Sequence, residues 1–240
     1  MDELLKQAKP IFVVIVLSGL LMAAVVWIME GGLQNLTGSG DEPEILIDEK
    51  IPGPLSVEEL ENYNVEKSDK DNPVAVIETN KGTIEIELFE NVMPITAGNF
   101  ANLAEEGFYD GVKFHRVIDG FMIQGGDPLT KTDDVMRYGT GGADYTIPDE
   151  HVRGDLLTNV RGTISMANSG PESGSSQFFI NLVDNVNLDF DKQPLTSKHP
   201  VFGQVISGMD VVDQIGEVET NVRDLPLEDV VMEKVTIRRN

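Results

Sequence analysis

The sequence predicts a mainly β domain, a closed β-barrel capped by two α-helices, carried behind one transmembrane helix and a flexible linker. Three features point there. Ten residues into the chain comes an apolar run of 19 residues without a charge, Ile11 to Met29. A stretch with little apolar periodicity separates that run from the rest. From Pro73 onward, short strand patterns broken by glycine-containing turns outnumber the helical patterns, of which there are two.

At ~1.5 Å per residue, the run from Ile11 to Met29 is long enough for the ~30 Å hydrocarbon core of a bilayer. A cleaved secretory signal has a shorter apolar region, about 7–15 residues, ending in small residues. Here Val25, Val26, Trp27, Ile28 and Met29 close the run. The segment at 11–29 therefore reads as a retained signal anchor in contact with the lipid bilayer, with secretion after cleavage as the alternative. Lys6 and Lys9 precede it, and Glu30, Asp41, Glu42 and Glu44 follow. Residues 1–10 are thus a short cytoplasmic tail, and the C-terminal bulk is extracytoplasmic, as in a single-pass protein of the cell membrane.

Residues 30–72 read as an acidic linker containing Gly and Pro, with a reach on the order of 35 Å. Within it, Ser56 and Glu59 fit a capping box for a short helix. Asn35-Leu36-Thr37 is a glycosylation triplet of a kind that also arises by chance.

The folded domain spans 73–240. Val74 to Thr79 and Thr83 to Leu88 flank the turn Asn80-Lys81-Gly82, and the second run alternates strictly, as a strand with one buried face does. Pro94 opens a helix with Ala97, Phe100, Ala101, Leu103 and Ala104 at helical spacing, and Gly107 ends it. A second short helix is expected around Met209 to Ile215, and a closing strand over Val231 to Ile237.

Composition narrows the function. Apolar residues at 40% and charged residues at 25% belong to a chain with a real core. Acidic residues outnumber basic ones 41 to 18, for a net charge of −23. Such a chain repels phosphate backbones, so a nucleic-acid partner is excluded. Solvated surface charge accounts for the excess; attraction of basic unfolded segments is the sharper alternative. Without cysteine there is no disulfide or thiolate site, and the three histidines lack metal-ligand spacing, so neither metal nor cofactor is expected.

Three ordered motifs carry the chemistry. The first runs Phe114-His115-Arg116-Val117-Ile118-Asp119-Gly120-Phe121-Met122-Ile123-Gln124-Gly125-Gly126-Asp127-Pro128. The second is Gly162-Thr163-Ile164-Ser165-Met166-Ala167-Asn168-Ser169-Gly170-Pro171, followed by Gly174-Ser175-Ser176-Gln177-Phe178-Phe179-Ile180. The third is His199-Pro200-Val201-Phe202-Gly203-Gln204-Val205-Ile206-Ser207-Gly208-Met209. In this order they resemble the signatures of the cyclophilins, over roughly residues 73–240.

The resemblance implies an eight-stranded antiparallel barrel with a helix closing each end, and a peptidyl-prolyl cis-trans isomerase (rotamase) acting on proline-containing polypeptide clients to assist their folding. The isomerase domain is expected to be monomeric. By the same resemblance Arg116 is the catalytic hydrogen-bond donor and Gln124 orients the region around it. Phe121, Met122, Phe179, Leu188 and His199 line the proline pocket, and Ala167 and Asn168 flank the substrate backbone. Adjacent strand residues face opposite sides, so Phe178 belongs to the interior and Phe179 to the pocket. Rotation transfers no proton, which gives His199 a packing and hydrogen-bonding role rather than acid-base work. The loops Gly139-Thr140-Gly141-Gly142 and Gly174-Ser175-Ser176 flank the site, where the glycines serve the backbone approach or the turns alone.

Asn187 stands where many relatives carry a tryptophan that contacts cyclosporin, so inhibition by that drug is expected to be weak. The segments Leu129 to Tyr138 and Phe190 to Lys198 look longer than in compact relatives. A competing reading is a membrane-tethered module or chaperone that binds proline peptides with little turnover; Arg116 favours the enzyme, because docking needs no transition-state donor.

Overall fold

The computed structural model describes residues 68–152, 155–193, 195 and 198–239. The chain is already held at its first described residues. Ser68 Oγ, the Asp69 amide and Asn72 Nδ2 all donate to the carboxylate of Glu87.

Strand β1 (Val74–Thr79) and strand β2 (Gly82–Leu88) form the expected hairpin, with Thr79 opposite Gly82. Ile84, Ile86 and Leu88 are buried completely, and Glu85 and Glu87 alternate with them. Helix α1 (Pro94–Glu105) follows with proline in its first turn. No side chain at the preceding residue caps it. Glu150, far along the chain, accepts instead from the amides of Ile95 and Thr96 at 3.2 and 2.8 Å. That carboxylate satisfies two of the four amides that a helix start leaves without partners.

Next come β3 (Arg116–Ile118), β4 (Met122–Gly125), a 3-10 turn at Pro128–Lys131, β5 (Thr163–Met166), β6 (Phe178–Asn181), a second 3-10 turn at Val186–Leu188, β7 (Val201–Ser207), helix α2 (Met209–Gly216) and β8 (Met232–Arg238). All pairings are antiparallel, and the eight strands lie in the order β3-β4-β6-β5-β7-β2-β1-β8. Helix α1 packs on β7 and β8, while α2 packs on β2, β3 and β4. In the core between α1 and the sheet, Phe100 stacks on Tyr109 at 4.8 Å and meets Phe178 edge-on at 5.3 Å.

The expected closure of the barrel is not made. β3 and β8 end the sheet without pairing, and the seam carries an isolated bridge between Lys113 and Val231. Beside it Phe114 N donates to Val230 O and Met232 N to Val112 O. The physical reason lies in the loop before β8. Its Asp224 carbonyl accepts from Val117 N at 2.8 Å, so the free edge of β3 is spent on that loop rather than on a strand.

Among the described residues no helix is long and apolar enough to cross a membrane. The apolar run at 11–29, the capping box at Ser56 and the triplet at Asn35 lie outside the described residues.

Candidate active site

Strand alternation sorts the β3–β4 hairpin into two faces. Val117 and Ile123, paired across it, enter the main core. The pairs Arg116 with Gln124 and Ile118 with Met122 face the other way, and Phe179 on β6 lies opposite Gln124. Met122, Phe179 and Leu188 bury themselves in a small separate cluster backed by Ile118, Phe121 and Ala167. Phe178 points inward to the main core, as the alternation predicts. Leu188 arrives on the second 3-10 turn, and its carbonyl accepts from His199 N at 3.1 Å.

Behind this corner, buried Asp189 accepts from the backbone and side-chain amides of Asn159 and from the Thr158 hydroxyl, and Asn159 Nδ2 also donates to the His199 carbonyl at 3.0 Å. That network ties the turn bearing Leu188 to the segment bearing His199.

The result is a cavity of about 440 Å³ onto which all nine residues expected at the site converge: Arg116, Phe121, Met122, Gln124, Ala167, Asn168, Phe179, Leu188 and His199. Its floor is apolar and its rim polar. The His199 ring meets Phe179 edge-on at 5.4 Å, with Nδ1 3.0 Å from the Met166 carbonyl. Burial holds the pKa of His199 below the usual imidazole value, partly offset by that carbonyl; the ring is neutral at pH 7. Asn168 donates to the Lys198 carbonyl at 2.8 Å. Asn187 is exposed and lies outside the lining.

Arg116 is held from two sides. Its Nη1 lies 3.5 Å from Gln124 Oε1, and its Nε lies 3.6 Å from Asp224 Oδ2. Gln124 passes the order on: its Nε2 donates to Gln177 Oε1 at 3.0 Å, and Gln177 Nε2 donates to the carbonyls of Gly139 and Gly141. The loop receiving those bonds is pinned from below by Asp127. That fully buried carboxylate accepts from Leu129 N at 2.8 Å, Gly139 N at 2.6 Å and Gly141 N at 3.2 Å. Glycine is required at 141, where a Cβ would stand 2.1 Å from Asp127 Oδ1, and at 139, where φ is +87°.

Beyond Gln124 a second, wider cavity of about 690 Å³ opens between the 139–146 loop and the 169–177 segment. It shares Gln124, Gly139, Ala167 and Asn168 with the first.

Several contributors were not singled out from sequence. His115, Tyr138 and Arg223 line the first cavity, while Gln177 and Asp127 support it. The Asp127-Pro128 pair is a readable turn opener. Its bonds to Gly139 and Gly141 have no local signature. Arg223 sits on a turn closed locally by Asn221, but its place beside the cavity is set by the tertiary bond from Val117 N to Asp224 O.

The profile of the cyclophilin type peptidyl-prolyl cis-trans isomerase/CLD family matches residues 74–237. Peptidyl-prolyl cis-trans isomerase-like 1 of mouse is 42% identical over 159 residues, which are 66% of this chain and 88% of that protein. The Schizosaccharomyces pombe isomerase ppi1 is 42% identical over 156 residues, 63% of this chain and 90% of that one. A crystal structure of a Cryptosporidium parvum cyclophilin type isomerase, 28% identical, superposes with a TM-score of 0.59 over 70% of this chain and 98% of its own. The chain belongs to the cyclophilin-type peptidyl-prolyl cis-trans isomerases. It is a rotamase, and its substrates are proline-containing polypeptides.

Proposed function

We propose that this rotamase acts on protein clients outside the cytoplasm, anchored through residues 11–29, and that Arg116 stabilises the twisted transition state. The observation that carries the mechanism is the meeting, on one cavity, of a guanidinium, a supporting amide and an apolar floor. The anchor rests on the hydropathy and flanking charges of the N-terminal run.

Rotation about an X-Pro bond meets a barrier of roughly 18–20 kcal/mol because amide resonance must be broken. As the bond twists, the prolyl nitrogen recovers a lone pair that the planar amide lacks. An Arg116 N–H aimed at that nitrogen binds the twisted state more tightly than either planar ground state, which is what accelerates the step. Gln124 holds the guanidinium at the rim while Phe121, Met122, Phe179 and Leu188 take the proline ring. Burying the ring also excludes water, which favours the more polar planar amide. No proton moves and no covalent bond forms, so a neutral His199 serves as wall and hydrogen-bonding partner.

Two measurements on the full-length chain test the two halves. Isomerisation of X-Pro peptides is expected to be accelerated, and protease added outside intact cells is expected to digest the C-terminal domain while the chain stays in the membrane fraction. A mature N-terminus beyond residue 29, or a domain protected from external protease, would contradict the anchored arrangement.

A further inference from the structure

The titratable side chains of the first cavity that bear a charge or could take up a proton are all basic. They are Arg116, Arg223 and the histidines 115 and 199, with no carboxylate among them; burial lowers the pKa of both histidines and keeps them neutral at pH 7. The second cavity has the opposite bias, since Asp144 is its one charged lining residue. In a chain of net charge −23, a cationic pocket rim is the exception.

The two arginines differ in what they already hold. Arg116 is engaged by Asp224 and Gln124. Arg223 is exposed; its Nη1 lies 3.4 Å from Met136 Sδ, and no carboxylate of the described residues lies within ion-pair distance of it.

The backbone that presents Arg223 is tightly built. The Asn221 side chain accepts from Arg223 N at 2.8 Å and Leu225 N at 3.3 Å. Asn221 N donates to Leu225 O, and Val117 N to Asp224 O, so the turn is closed on itself and docked on β3. The Met136 contact adds a brace from the Leu129 to Tyr138 segment. A guanidinium carried on a held turn without a counter-ion among the described residues, beside the pocket for the proline ring, has the planar fork that suits a carboxylate. The acidic bulk of the chain opposes such a ligand only weakly at close range, because its field is screened within ~8 Å at physiological ionic strength.

From this we infer that Arg223 is a specificity-determining residue, selecting substrates that carry an aspartate or glutamate close to the proline. The inference rests on the first cavity being the proline site. Asp144 at the far end sets the polarity, so the acidic residue lies on the Arg223 side of the proline and is disfavoured on the other.

The test uses the full-length chain and blocked peptides, acetylated and amidated, with one Ala-Pro bond and Glu, Gln or Lys at successive positions on each side. kcat/KM is measured by NMR exchange, and binding by chemical-shift titration. At one flank Glu is expected to exceed Gln by about two- to fivefold, the size of an exposed ion pair, and the gain is expected to fade at high salt. Arg223→Glu should reverse the order in favour of Lys, and Arg223→Lys should keep the acidic preference. Equal values for Glu and Gln at every position, or a Glu preference that survives Arg223→Glu, would overturn the inference. Turnover of no peptide would defeat the Arg116 mechanism instead, and the binding series would still rank Glu against Gln and decide the role of Arg223.

Discussion

Asp127 lies off both cavities yet controls the loop between them. Its carboxylate takes three amides, two of them from glycines 139 and 141, whose carbonyls in turn take Gln177. Asp127→Ala would remove the buried carboxylate that holds those amides, at a cost of about 1.5–3 kcal/mol for a hydrogen bond to a charged group. Denaturant unfolding should show a loss of at least ~2 kcal/mol, and the freed loop should raise KM. A variant as stable as the parent would contradict this role. Arg116, Gln124 and Phe179 were legible in the sequence because a contiguous signature on alternating strands fixes which side each faces. Asp127, Gln177 and Arg223 were not, because the contacts that bring them to the site are distant in sequence, Asp127 to Gly139 and Gly141, Gln177 to Gln124 and Gly139, and the Arg223 guanidinium to Met136, and the same residue types serve any polar loop. Asn187, exposed on its turn, keeps the expectation of weak cyclosporin inhibition. An inhibition titration reaching half effect at nanomolar drug would contradict it.

At the scale of elements, local chemistry reads well and long-range closure does not. The β1–β2 hairpin follows from strict alternation and its turn, and α1 follows from Pro94, its apolar spacing and Gly107. The cap of α1 is another matter, because Glu150 reaches it from a loop more than 50 residues away. Glu150→Ala should destabilise the domain by about 0.5–2 kcal/mol, the range for losing a helix cap. Phe178→Ala, which empties the space against Phe100, Tyr109 and Phe114, should cost about 3–5 kcal/mol. Thermal or denaturant unfolding of the two variants checks the ranking; the reverse order would mean that the cap, not the aromatic core, holds α1 to the sheet. The open seam was illegible for a related reason: β3 and β8 each read as strands, and nothing local announces that the loop around Asp224 occupies the edge between them.

For the whole molecule, the histidines give a pH signature. Burial lowers the pKa of His115, His151 and His199 alike, so the unfolded chain binds protons more readily than the folded one. Stability is then fully present above the unfolded value of ~6.5 and falls as pH drops below it. The carboxylates with lowered values, among them Asp110 and Asp213, withdraw their contribution only at lower pH, as the medium approaches the ordinary carboxylate range. Unfolding free energies at pH 7.5 and 5.5 should therefore differ, with the protein weaker at 5.5. Equal values would show that the rings are not held neutral. Above pH 7 the isomerisation rate should be flat, since no titrating group takes part.

The most direct measurement is the rate of cis-trans exchange of a bound X-Pro peptide with Arg116 intact and with Arg116→Ala. Loss of one transition-state donor is expected to cost about 10²–10³ in kcat, with peptide affinity changed far less because the apolar floor is untouched. A variant that keeps its full kcat, or loses only affinity, would contradict the role given to Arg116.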